Sequence, residues 1–224
     1  VWTSSLTWYA GYFWLAWELP SVENTKFTLY KSADLLTWTG AFTNLFDTDT
    51  YGALYAPEWT VGITPPSLIC ALGTNGAAPN TAGRVYEMHP LNADMNSWSA
   101  PVLIYGPAAN AHADAMVALV GSTYHLLARR HTNGGVIDTI IHGTASSLTG
   151  TYTIDGVADW AGWGTNSLEG PSLAQLPDNS WCFYATRTPI GVANVERSVT
   201  FDNFATWSQT NNVRGATTAS PSDQ

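Results

Sequence analysis

The feature that most limits what this chain can fold into is a repeat of about fifty-five residues. Four stretches carry the same order of signals: a short β-rich run, a Gly or Asp turn, an aromatic run, a third run, and a polar turn that closes on an aromatic residue. They open at "SSLTWYAGYFWLAWEL", "YAPEWTVG", "ADAMVALVGSTYHLLARRH" and "EGPSLAQLPDNSWCFYATR". Two of the closing turns, "SADLLTW" and "TFDNFATW", both set an Asp ahead of Thr-Trp. No segment shows a convincing helical period, so the chain reads as all-β. A repeated four-strand unit ending in an aromatic predicts a β-propeller, because a two-sheet sandwich rarely repeats one strand pattern at so constant a length. One domain is expected over 1–224, with units at about 3–48, 49–106, 107–158 and 159–210. The tail, 211–224, offers one more strand, "VRGATTA", to a fifth blade.

Composition narrows the function. With 45% apolar residues, a chain of 224 can fill a core. Asp and Glu outnumber Lys and Arg by 17 to 8, giving a net charge of −9, a balance that repels phosphate backbones and argues against a nucleic-acid partner. No run of 18 apolar residues exists, so no membrane-spanning helix is expected. Two lysines, 11 tryptophans and abundant Thr, Ser, Asn and Gly fit a secreted, extracellular protein, expected to be a monomer. Cys70 and Cys182 fall in the second strands of the second and fourth units, too far apart for the roughly 7 Å limit of a disulfide, and two buried free thiols are expected. No CxxC or Cys/His cluster supports zinc, and no cofactor is required. A structural calcium or sodium ion could sit in the channel.

The acidic residues fall on the same lattice. Glu58 in "APEW", Asp114 in "HADAM" and Glu169 in "LEGPSL" sit at or beside the first strand of successive units, 56 and 55 residues apart. First strands line the central channel of a propeller, so three acids from three blades should converge at one end of its axis. Carboxyls around a water-filled funnel suit glycoside hydrolysis, in which one acid protonates the leaving oxygen while another activates water or attacks the anomeric carbon. Close like charges raise the pKa of one member and keep its proton available near neutral pH. Trp59, Trp160, Trp163, Tyr51 and Tyr55 lie near these acids and could stack on sugars or pack blades. His112 reads either as a channel residue or as a structural histidine. The stretch ending at Arg129 and Arg130 reads as a solvated strand end, and Asp47 and Asp49 as a polar surface loop.

The order "APE", "DA", "EGP", "FDNFATW" and "VRG.T" resembles family 43 glycoside hydrolases, five-bladed propellers acting mainly on arabinose- and xylose-containing plant polysaccharides. The resemblance runs from about Ser4 to Thr218. It implies Glu169 as general acid, Asp114 as the residue that tunes it and orients substrate, Glu58 as a channel residue near the sugar, and inverting displacement by water. Glu58, Trp59, His112, Trp163 and Arg187 are the substrate-binding candidates. The family's general base is an Asp on the first strand of the first blade, and the repeat arithmetic lands on Thr3, which cannot serve unaided. Two other readings follow. One is a catalytically silent sugar-binding propeller. The other is a polysaccharide lyase, toward which Arg187 and His125 are the features.

Overall fold

A computed structural model of the chain describes residues 4–18, 26–45, 51–74, 83–107, 110–131, 139–157, 168–187, 194–202, 204–208 and 211–212. These residues form sixteen strands in four separate antiparallel sheets, each taken in chain order. The first sheet is β1 (Ser4–Tyr9), β2 (Tyr12–Glu18), β3 (Lys26–Ser32) and β4 (Thr39–Leu45); the second is β5 (Tyr51–Trp59), β6 (Leu68–Thr74), β7 (Arg84–Met88) and β8 (Val102–Tyr105). The third is β9 (Ala111–Val120), β10 (Thr123–His131), β11 (Thr139–Ala145) and β12 (Thr153–Val157); the fourth is β13 (Leu168–Gln175), β14 (Trp181–Arg187), β15 (Asn194–Thr200) and β16 (Asn211–Asn212). Four sheets of this kind are propeller blades, and the two-sheet sandwich is excluded. The "VRGATTA" strand lies outside the described residues.

First strands meet at the axis. The Trp59 backbone N–H on β5 donates to the Ser5 hydroxyl on β1 at 3.0 Å, and the Trp59 indole N–H donates to the Ser5 carbonyl at 3.1 Å. Just beyond β5, Val61 forms a parallel bridge with Ala118 of β9, using Val61 N–H to Val117 O at 3.0 Å and Leu119 N–H to Val61 O at 2.9 Å. Gly62 follows in a left-handed conformation (φ 76°), and a Cβ there would lie 2.8 Å from the Leu119 carbonyl oxygen, so this seam requires glycine.

Each seam between blades is apolar. Trp14, Phe27, Trp59 and Trp98 fill the first, Ile69, Val85, Leu126 and Ile141 the second, and Met116, Leu127, Phe183 and Phe204 the third. Cys70 on β6 and Cys182 on β14 are buried and unbridged, as the blade arithmetic requires.

The closing turns explain why two repeat ends match in sequence. Asp34 Oδ1 accepts the N–H groups of Leu36 and Thr37, each at 2.8 Å, and the Ser32 hydroxyl at 3.0 Å. Asp202 Oδ1 likewise accepts the Thr206 N–H at 2.8 Å and the Thr200 hydroxyl at 2.7 Å. Leu35, Met95 and Phe204 each adopt positive φ three residues before a Trp. In the first two turns that Trp donates its indole N–H back to the carbonyl of the left-handed residue. The Asp therefore satisfies backbone donors that the tight turn removes from the ladder.

Candidate active site

Glu58, Asp114 and Glu169 each lie beside a break in register on a first strand. The break on β5 falls between Tyr55 and Glu58, that on β9 lies at Asp114 opposite Ala128 and Arg129, and that on β13 falls between Glu169 and Ser172. At each break one residue takes positive φ: Ala56 (48°), Asp114 (43°) and Gly170 (56°). Gly170 adopts this conformation freely, whereas the other two carry a Cβ there at roughly 1–2 kcal/mol each. Bulges re-aim side chains, and local strain of this kind concentrates at functional sites. The bulge in "LEGPSL" is what allows an acid to stand within a channel strand.

The acids converge through a residue that the sequence reading set aside. Arg129, on β10, donates from Nη1 to Asp114 Oδ2 at 3.2 Å and from Nη2 to Glu169 Oε1 at 2.8 Å. Its side chain is 17% exposed, so the expectation of a solvated strand end is corrected: the guanidinium spans two blades and binds one carboxylate from each. Such forked donation is specific to arginine. Two consecutive arginines at the end of an apolar strand look like a solvated terminus in sequence. The signal that could have separated them is register, because the bulge at Asp114 shifts the pairing of β9 at Arg129.

Glu58 is held differently. It receives a hydrogen bond from Ser5, and its carboxyl is pushed up to about 7, first by burial and then by the negative charge of Asp114, with the Ser5 bond opposing both. It lines a channel cavity of about 190 Å³ to which all four first strands contribute, with Ser5, Met116 and Ser172 on the other walls. Toward the opposite end of the strands the channel opens into a wider space of about 390 Å³ bounded by Leu6, Trp8, Thr60 and Leu173.

The remaining candidates separate. Trp59 is 3% exposed, its indole N–H is committed to Ser5, and its ring centroid lies 6.1 Å from that of Trp98, so it packs blade against blade and leaves little ring surface for a sugar. His112 is fully buried with its ring edge-on to Tyr105 at 4.9 Å. Arg187 closes β14 in register with Leu168, the neighbour of Glu169, and its side chain is outside the described residues, as are Thr3, Asp47, Asp49, Trp160 and Trp163. His125, the feature toward lyase chemistry, is buried, bonded through Nδ1 to His142 Nε2 at 2.9 Å, and faced by Phe204. Among the described residues no group of three or more His, Cys, Asp or Glu is arranged to hold a metal ion.

Four sheets whose first strands carry Glu58, Asp114 and Glu169, the last two joined on Arg129 and the first influenced by the charge of Asp114, define the chain as a β-propeller with acidic first strands. No protein-family model and no curated protein matches the sequence. Solved structures do share the fold. An endo-arabinase from Bacteroides thetaiotaomicron superposes with a TM-score of 0.71 at 14% identity, over 96% of this chain and 81% of that one. A family 43 endo-arabinanase from Bacillus licheniformis gives 0.60 at 15% identity, over 92% and 76%. A family 93 α-L-arabinofuranosidase of Fusarium graminearum, solved with arabinobiose, gives 0.64 at 16% identity, over 95% and 66%. The chain is thus similar in fold to glycoside hydrolase propellers.

Proposed function

We propose that the protein is a glycoside hydrolase that cleaves pentose-containing plant polysaccharides or oligosaccharides outside the cell, by inverting displacement with water and without a cofactor. One observation carries the reading: Asp114 and Glu169, from first strands of two blades, share the Arg129 guanidinium, and the charge of Asp114 reaches Glu58 on the first strand of a third. In this reading Glu169, the most exposed member of the ion-paired group at 35%, donates the proton to the leaving oxygen. Arg129 occupies its Oε1, and a protonated carboxyl can keep accepting there while it donates from Oε2. Asp114 shares the same guanidinium and so fixes how Arg129 presents Glu169. The endo-arabinase, endo-arabinanase and α-L-arabinofuranosidase among the fold neighbours support a pentose substrate. The reading includes a five-bladed ring, supported by Leu6 and Trp8 of β1, which are 50% and 57% exposed.

A screen of arabinose-, xylose- and galactose-based oligosaccharides for new reducing ends, with NMR of the anomer first released, tests the proposal. Glu169→Gln should lose ~10²–10⁴-fold on natural linkages and much less on aryl glycosides, whose leaving groups need little protonation. A loss under about tenfold on a natural linkage would assign the acid elsewhere. The second reading, a silent sugar-binding propeller, is favoured by Thr3, and is distinguished by saturable binding of the same sugars with no turnover.

A further inference from the structure

We propose that Glu58 is the general base of the channel, the group that takes the proton from the attacking water. This assignment rests on the glycosidase reading and supplies the part of it that no Asp at position 3 can fill.

The geometry leads there by partition. An inverting displacement needs two carboxyls on opposite sides of the sugar, with a water beneath the anomeric carbon. Asp114 and Glu169 are gathered onto one guanidinium, so they are assigned together to one side of the site and the base to another strand. Glu58 stands apart from that ion pair, on β5, fastened to β1 through Ser5. It is also the single ionisable side chain lining the 190 Å³ cavity among the described residues; β1 offers only Ser4, Ser5 and Leu6 there, and a serine hydroxyl alone cannot hold a proton taken from water near neutral pH. The cavity has room for about six waters at ~30 Å³ each, enough to feed a nucleophile from below the sugar.

Burial and the negative charge of Asp114 hold the Glu58 carboxyl up to about 7 while the bond from Ser5 favours its ionised form, so Glu58 serves as a base above that pH. In the step itself, the Glu58 carboxylate removes a proton from water as that oxygen bonds to the anomeric carbon. The glycosidic C–O bond breaks, and the leaving oxygen takes the proton of Glu169. Transfer of one proton from Glu58 to Glu169 through solvent resets the pair, and one water is consumed.

Glu58→Gln keeps the shape and the Ser5 contact but cannot accept a proton. It should lose about 100-fold or more on aryl and natural glycosides alike. Sodium azide, acting as a nucleophile that needs no base, should restore turnover on the aryl glycoside and yield the inverted glycosyl azide, while Glu169→Gln should not show this pattern. The wild-type rate on an aryl glycoside should fall below about pH 7, and the residual rate of Glu58→Gln should lack that limb. Thermal melting verifies that the variant is folded. Should it not fold, Glu58→Asp replaces it, with a partial loss and a shifted limb expected. A folded Glu58→Gln that stays within tenfold of wild type, or gains nothing from azide, overturns the assignment and leaves the glycosidase reading standing. A wild type with no turnover on any glycoside overturns both.

Discussion

Arg129 Nη2 and Glu169 Oε1 meet at 2.8 Å across the boundary between the third and fourth blades, so the ion pair that orders the site also ties two blades together. Removing one member of a buried pair strands the other, at about 3–5 kcal/mol for full burial. With these side chains 17% and 35% exposed, the loss should be smaller, about 1–2 kcal/mol, and partly screened by salt. Arg129→Met, which keeps the aliphatic packing, is expected to lower the melting temperature by several degrees at low ionic strength and by less at 1 M salt. Equal melting of the two proteins at low salt would mean that the contact contributes nothing to blade cohesion.

Glu58 should leave a signature in stability that does not depend on catalysis. Its folded carboxyl sits at about 7 against an ordinary 4.5, so between those values the folded protein binds the proton more tightly than the unfolded chain. Stability from this group is fully present below about pH 4.5 and is lost as pH rises through about 7. Relative to wild type, Glu58→Gln should therefore gain in melting temperature from pH 5 to pH 8. A difference that stays flat across that range would return Glu58 to the ordinary carboxyl range.

The two cysteines give a simple count. Cys70 is enclosed, and its thiol is pushed up by burial and by the negative charge of Glu87, so the reactive thiolate is suppressed. Iodoacetamide should label neither Cys70 nor Cys182 in the native protein at pH 8 and both after denaturation without reductant. Labelling of native Cys70 on the same timescale as an exposed thiol would contradict its burial.

How much of this was legible in the sequence depended on whether a residue acts locally. The blade-closing turns were legible because Asp34 and Asp202 bond only to groups within four residues, so their chemistry repeats in the text. The acids were legible through their spacing, although the bulges place Glu58 two residues after its left-handed residue, Asp114 on it, and Glu169 one before it, so equal steps do not mean equivalent positions. Arg129 was not legible, because its partners lie 15 and 40 residues away on other strands. Trp59 is buried in the seam through its bonds to Ser5 and its contact with Trp98, partners 54 and 39 residues away that adjacency to Glu58 does not reveal.

Outside the channel, buried His125 and His142 form a polar chain that ends on half-exposed Asp155: His142 Nδ1 reaches Asp155 Oδ1 at 2.7 Å, and its Nε2 meets His125 Nδ1 at 2.9 Å. With Asp155 ionised and His142 neutral, His142 donates from Nδ1 and accepts at Nε2, and His125 donates from Nδ1, so a neutral His125 is of the same tautomer. Burial, reinforced by His142, lowers His125 to about 4, and burial likewise lowers His142 against the pull of Asp155. The unfolded chain takes up these protons below its ordinary 6.5 while the folded one does not. Stability from this pair is therefore present above about pH 6.5 and falls as the medium is acidified toward 4, by at most about 1.4 kcal/mol per pH unit for each refused proton. His125→Gln should flatten that fall, with the wild type losing melting temperature more steeply between pH 6.5 and 4.5. Ring NMR should find His125 neutral at pH 5; an imidazolium signal there, or parallel melting curves for the two proteins, would show that the seam between the third and fourth blades accepts the charge.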